Sequence, residues 1–305
     1  MSLKILATCA ILVLHALGGL SSPVEFETEE LVTTPGGQVP KSSVHAVPEG
    51  ARIHRTPTEV HLIASDGTII HSAPVSKRVS TESKISGTTT TAAPRALSSG
   101  YVAYSYWKNN ATSNISSFST TWSVPPTPAK KDGQLLYIFN ALIPSSFDGI
   151  FQPVLQFGSS PAGGGNYWAV ASWYLVGSNT YYTVPAQVKA AQSLTGVMTL
   201  KSATVSGNKT TFNWNSVFSG IPSTSLSIST SEVFNYAYEA LEIYTASGAS
   251  DLPTGKTMMT NINLATLDGV HPPLNWTSIS DSTEGFEMAV LSGASTNGTM
   301  QITYP

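Results

Sequence analysis

Two short segments carry side chains that could do chemistry, and both have the alternation of a β-strand. In Phe151–Gly158 (FQPVLQFG), Gln152, Val154, Gln156 and Gly158 share one parity, and Phe151, Pro153, Leu155 and Phe157 the other. In Ala237–Tyr244 (AYEALEIY), Tyr238, Ala240, Glu242 and Tyr244 share one parity; Ala237, Leu241 and Ile243 share the other, interrupted by Glu239. Strand side chains alternate between faces, so each segment can bury one face and present a polar-aromatic one. A carboxylate facing an amide across a sheet can hydrolyse a peptide bond without a Ser or Cys nucleophile or a metal. The carboxylate handles protons, and the amide stabilises the developing oxyanion.

Other chemistries find few residues. After Gly100 there is one histidine, His271, and no cysteine. A Ser-His-Asp triad would have to use His271, in the loop-like Asp268-Gly-Val-His-Pro-Pro, and no Gly-x-Ser-x-Gly elbow accompanies it. A zinc site lacks its His and Cys ligands, no Asp/Asn cluster resembles a calcium loop, and nucleotide fingerprints are missing; no cofactor and no metal is expected. Two strand carboxylates, Glu239 and Glu242, raise glycoside hydrolysis, but a spacing of three turns them to opposite faces. Glu239 reads as a hydrogen-bonded carboxylate on the apolar face. A slip of register would give it the catalytic role instead, so it stands as the secondary catalytic candidate.

These strands belong to a chain with three compositional zones. Residues 1–23 read as a secretory signal: Lys4, an apolar run from Ile5 to Leu17, then small residues from Gly18 to Ser22. The only cysteine, Cys9, lies within it, so the mature chain has no disulfide. Residues 24–99 hold all four arginines, Arg52, Arg55, Arg78 and Arg95, and four of the six histidines, His45, His54, His61 and His71. This zone reads as a propeptide, with a dibasic processing pair at Lys77–Arg78 and a Thr/Ser/Ala-rich linker ending at Ser99. Residues 100–305 hold all six Trp and all twelve Tyr. About eleven β-branched and aromatic runs separated by turn signals, and no helical periodicity, predict an all-β domain. The expected architecture is a two-sheet antiparallel β-sandwich of the concanavalin A-like jelly-roll kind. Ala162-Gly163-Gly164-Gly165-Asn166 reads as the hairpin turn between the glutamine strand and the aromatic strand Tyr167–Leu175.

Composition narrows the partners. Charged residues make up 11% of the chain and the net charge is −3, which excludes a basic nucleic-acid surface. Beyond the signal no segment is apolar enough to span a bilayer, so the mature protein is expected off the membrane, extracellular and monomeric. Five sequons, at Asn110, Asn114, Asn208, Asn275 and Asn297, fit a secreted glycoprotein. Gln152, Trp168, Trp173, Tyr174, Tyr238 and Tyr244, with Tyr137 on an earlier strand, are candidates for a cleft wall that grips an extended substrate, peptide or glycan.

The order of these features resembles the glutamic peptidases, the eqolisins and the related neprosin-type fold. The cues are Leu135-Leu-Tyr-Ile-Phe-Asn140, Leu155-Gln156-Phe157-Gly158, a Gly-rich hairpin into Trp173-Tyr174, and the Ala237–Tyr244 strand; Trp122-Ser-Val-Pro125 is similar to secreted proteins of mushroom-forming fungi. The resemblance spans residues 115–265. It implies a secreted acid endopeptidase with Gln156 and Glu242 as its dyad: the glutamate as base toward water and then acid toward the leaving amine, the glutamine as oxyanion donor. Ser172 stands where the family carries a carboxylate, and Tyr137 where it carries a Trp. The alternative reading is a non-catalytic carbohydrate- or cell-wall-binding sandwich, since one fold hosts both.

Overall fold

The computed structural model describes residues 29–76, 97 and 99–305. The signal segment, the Lys77–Arg78 pair and nearly all of the linker lie outside the described residues. Before the linker run β1 (Leu31–Thr34), β2 (Gly37–Pro40), β3 (Val44–Ala46), β4 (Arg52–Arg55), β5 (Glu59–Ile63) and β6 (Ile69–Pro74). After it come β7 (Gly100–Lys108), β8 (Ile115–Ser123), β9 (Leu135–Pro144), β10 (Gly149–Ser160), β11 (Gly163–Val176), β12 (Asn179–Tyr182), β13 (Ala186–Gln187) and β14 (Ser193–Ser206). The chain finishes with β15 (Lys209–Phe218), β16 (Ile221–Thr230), β17 (Phe234–Tyr244), β18 (Lys256–Thr266), β19 (Thr277–Ser280), β20 (Glu287–Ser292) and β21 (Gly298–Thr303). Two short 3-10 turns, Lys41–Ser43 and Ala249–Asp251, are the only helical elements among the described residues.

The strands form a front sheet of nine, in the order β19-β7-β17-β9-β10-β11-β12-β3 with β13 also on β11, and a back sheet of ten, β20-β21-β18-β8-β14-β15-β16-β4-β5-β6. The jelly-roll-like sandwich expected from the alternation is therefore present. Its core lies between the sheets, where Phe118, Trp122, Met198 and Phe218 of the back sheet meet Leu136, Ile138, Phe151, Leu155 and Leu241 of the front. The other parity of the front strands builds a second, smaller cluster on its outer face: Tyr137, Phe139, Val154, Ala171, Trp173 and Ala240. Both faces of β9 and of most of β10 are buried.

Composition set residues 24–99 apart; the described part, 29–76, is nevertheless built into both sheets. β3 adds to the front edge beside β12, and β4 adds to the back edge beside β16; these two pairings are parallel. Ile53, Val60 and Leu62 enter the inter-sheet core. Buried Arg55 reaches Glu232, 2.9 Å away. Edge strands offer unpaired backbone groups, and here the segment covers one edge of each sheet. Its strands are short and mix apolar with polar residues, so sequence periodicity does not reveal them.

Three other expectations need correction. Trp168 and Tyr174 are not cleft residues; both belong to the inter-sheet core, Trp168 against Phe157 and Tyr174 against Phe151. Their parity on β11 is opposite to that of Trp173, which does face outward. Glu239 keeps the apolar face on which its parity put it, fully buried with Thr120 of β8 donating its hydroxyl to it, so the secondary catalytic role that a slip of register would give it does not arise. The glycines are not the turn itself: Ser160 pairs with Gly163 across Pro161-Ala162, so the glycine run opens β11.

Burial holds the Glu239 carboxyl protonated well above its usual range, the Thr120 hydrogen bond opposing weakly. A raised folded value means the folded chain keeps a proton that the unfolded chain loses, so stability falls as pH rises above the ordinary glutamate value. Thermal midpoints measured from pH 4 to pH 7 are expected to drop more for wild type than for Glu239→Gln, by about 2–4 °C per kcal/mol of linkage. Parallel curves would show that Glu239 is not held neutral.

Candidate functional site

Gln156 on β10, Tyr137 on β9 and Glu242 on β17 form one row across three neighbouring strands: Gln156 and Glu242 each pair with Tyr137. All three parities face outward, and strand spacing places the outer two backbones about 9–10 Å apart, with the tyrosine between. That gap suits one peptide carbonyl and one water between an amide and a carboxylate. Glu239, three residues before Glu242, is on the other side of the sheet. This also removes the pairing of Glu239 with Glu242 that glycoside hydrolysis would need.

The amide of Gln156 is held in one orientation. Its Nε2 donates to the carbonyls of Gly158 at 2.7 Å and Gly163 at 2.9 Å, and its Oε1 accepts from Ser160 Oγ at 3.0 Å. Two glycines permit this. Gly158 has φ of 99° at the register shift that follows Phe157. A Cβ on Gly164 would lie 2.5 Å from Gln156 Nε2, so any side chain there pushes the amide away. Sequence reasoning missed Ser160, which lies two residues past the Leu-Gln-x-Gly cue and returns to its glutamine only through the hairpin.

The largest omission concerns Glu242. The β1–β2 hairpin lies against it, and the Gly36 N–H donates to both carboxylate oxygens, at 2.7 and 3.0 Å. Pro35 and Gly36 make the turn, with Gly36 at φ of 86°, the positive value that the third position of a type II turn demands. The Thr33 carbonyl accepts from Tyr137 Oη at 3.4 Å. Sequence reasoning assigns no hairpin here, and nothing local in the sequence says where one would dock. A cleft of about 590 Å³ remains beside it, between Val32, Thr33 and Lys41 of the segment and Leu135, Ser160 and Tyr244 of the body.

Tyr137 is completely buried. Burial first, and the charge of Glu242 second, hold its phenol far above the usual value, so it is a neutral donor at any working pH. Trp173 and Tyr244 pack edge-on against it, with ring centroids 6.4 and 6.2 Å away. Gln152 is outward by parity, buried, and has neither amide atom paired; the neighbouring Trp173 indole N–H is likewise unpaired. Tyr238 continues the outward face of β17 and stacks with Tyr104 and Tyr106. Ser172 faces the core instead, bonded to Ser216 of the back sheet at 2.9 Å, so its lack of a carboxylate does not alter the outward row directly. His271 sits on an exposed loop with Nδ1 on the Leu264 carbonyl. Among the described residues no three His, Cys, Asp or Glu side chains gather as a metal site requires.

No family model and no curated protein matches this chain. Among solved structures it is similar to scytalido-glutamic peptidase with a peptide-based transition state analog: TM-score 0.46, 12% identity, 67% of this chain and 98% of that one. The same peptidase with a transition state analog inhibitor gives a TM-score of 0.45 at 12% identity, over 67% and 98% of the two chains. SCP-B, a member of the eqolisin family of peptidases, in a complex with the tripeptide Ala-Ile-His, gives 0.45 at 12% identity over 68% and 98%. These are similarities of overall shape.

Proposed function

We propose that this protein is a secreted acid endopeptidase of the glutamic type, described here in a latent form. The observation that carries the reading is the outward row Gln156–Tyr137–Glu242. In the active form Glu242 takes a proton from a water that attacks the peptide carbonyl, then passes it to the leaving amine. Gln156 donates to the oxyanion, exchanging one of its two glycine carbonyls for the substrate oxygen. Tyr137, a neutral donor between them, binds the same substrate backbone. A glutamate has an ordinary pKa of about 4.3, which suits acidic surroundings.

Residues 29–76 act as an inhibitory prosegment. The Gly36 N–H engages both oxygens that must handle the water's proton, and a turn at Pro35–Gly36 replaces the extended strand that a cleft of this shape would cleave. Four of the five sequon asparagines are exposed and Asn114 is half-exposed, which suits glycosylation on a secretory route. The glycan-binding alternative draws on the half-exposed tyrosines of the outer face. Tyr104 and Tyr106, however, stack on Tyr238 at 6.0 and 5.5 Å with small interplanar angles. Rings engaged with one another offer edges and hydroxyls rather than the open faces on which a sugar stacks.

The test is cleavage of a denatured protein between pH 2 and 6 by chain freed of residues 1–99. Glu242→Gln is expected to lower kcat/KM by about 10²–10⁴ and Gln156→Ala by about 10²–10³, with folding intact. Correctly folded wild type that cleaves nothing would refute the peptidase reading, and glycan binding would be tested next. Gly164→Val is expected to lower activity as Gln156→Ala does while leaving Glu242 in place; unchanged activity would show that the amide orientation is not used.

A further inference from the structure

We propose that the stacked imidazoles of His45 and His71 form an acid-sensitive latch that keeps residues 29–76 docked near neutral pH and lets them go in acid. The inference rests on reading that segment as an inhibitory prosegment. A cut between residues 77 and 99 cannot by itself release it. β3 remains paired with β12, β4 with β16, and Ile53, Val60 and Leu62 remain in the core. Something must weaken this docking where the enzyme works.

His45 lies on β3 and His71 on β6, so the pair joins the segment's front-sheet and back-sheet parts at one seam. Their ring centroids are 3.9 Å apart, and His45 also packs on Tyr181 of β12 at 5.2 Å. Around them Val47 N–H donates to the Tyr182 carbonyl at 2.8 Å, and Asn179 Nδ2 donates to that of Pro74 at 3.2 Å. Neutral rings tolerate such a stack. Two cations at that separation repel. The Nε2 atoms of both rings are buried without a partner, so a proton added there finds no acceptor.

Among the described residues, the surroundings of His45 supply no compensating charge. β12 presents Asn179, a hydrogen-bond partner of His45, and Tyr181; β5 presents Leu62 opposite His71. Behind Tyr181 lies Tyr174 of β11, whose charged neighbours Arg55 and Glu232 pair with each other. Among the described residues no carboxylate forms an ion pair with either imidazole; the one histidine ion pair is His61 with Glu59.

Burial first, then His71, pulls His45 down to about 4, against the Asn179 hydrogen bond. His54, opposite His61 on β5, is pulled down in the same way by burial, His61 and Arg52. A released histidine titrates near about 6.5. The released segment therefore binds more protons between about 6.5 and about 4, and docking weakens as pH falls through that window, by up to about tenfold per pH unit for each proton. Undocking reaches the active site through the chain itself, because β3 joins the β1–β2 hairpin across only Lys41–Ser43.

The test uses the full chain and hydrogen exchange of residues 31–47 between pH 7 and pH 4, corrected for intrinsic rates. Wild type is expected to lose about 10²-fold of protection across that range, and His45→Phe/His71→Phe, which keeps the rings but cannot charge them, to lose no more than a few-fold. Wild type that stays protected at pH 4, or a variant that releases with it, would overturn the latch. Histidine NMR titration of wild type gives a check that needs no variant. An ordinary midpoint for His45 while the hairpin is still protected would overturn the latch, and a midpoint near 4 supports it. Cleavage is scored separately: release in acid with no hydrolysis by the freed body would keep the latch and remove the peptidase reading.

Discussion

Side chains of a strand turn alternately to its two sides, and on β17 this places two carboxylates three residues apart in opposite environments. Glu239 enters the dry space between the sheets and Glu242 the outer face, on the same row as Tyr137 and Gln156. The remaining architecture keeps that arrangement in place. The inter-sheet core fixes the inner parity, so β17 cannot slip by one residue without turning Glu242 into the space between the sheets and Leu241 and Ile243 out of it. Thr120, from the opposite sheet, donates to one oxygen of the buried Glu239 and leaves the other without a partner. Gly158 and Gly164 let the backbone come close enough to orient the Gln156 amide.

The segment of residues 29–76 uses the same sandwich in a different way. It adds strands to an edge of each sheet and lays a tight turn on the outer row. Its grip combines apolar burial with a His45 whose proton affinity burial lowers. Glu239, held protonated, stabilises the body most in acid, whereas on the proposed latch His45 holds the segment best near neutrality. On that proposal acidity shifts the balance toward a folded body with an uncovered row.

Parity alone placed Glu242 and Gln156 on outward faces and Glu239 on the inner one, because β10 and β17 alternate cleanly over several residues. The same rule, applied without regard to face, grouped Trp168 and Tyr174 with Trp173; one position along β11 decides between core and cleft. The runs predicted from Tyr101 to Tyr304 all became strands, since β-branched and aromatic residues mark them. Residues 31–74 escaped because their strands are short and are stabilised by pairing with distant edges rather than by their own pattern. Where the hairpin docks, and that Gly36 meets Glu242, depends on a contact between positions 206 apart, which no local periodicity encodes.

The central claim is that Gln156 and Glu242 together favour a tetrahedral centre over a planar peptide. The most direct measurement is the affinity, in acid, of the body freed of residues 1–99 for a peptide whose scissile carbonyl is replaced by a tetrahedral phosphinate, set against the same peptide with an uncleavable planar amide isostere. Catalysis as differential binding predicts that the phosphinate binds tighter by about 10² or more, and that Gln156→Ala removes most of that preference while barely changing the planar ligand. Equal affinities for the two ligands in wild type, or a preference that survives Gln156→Ala, would contradict the account.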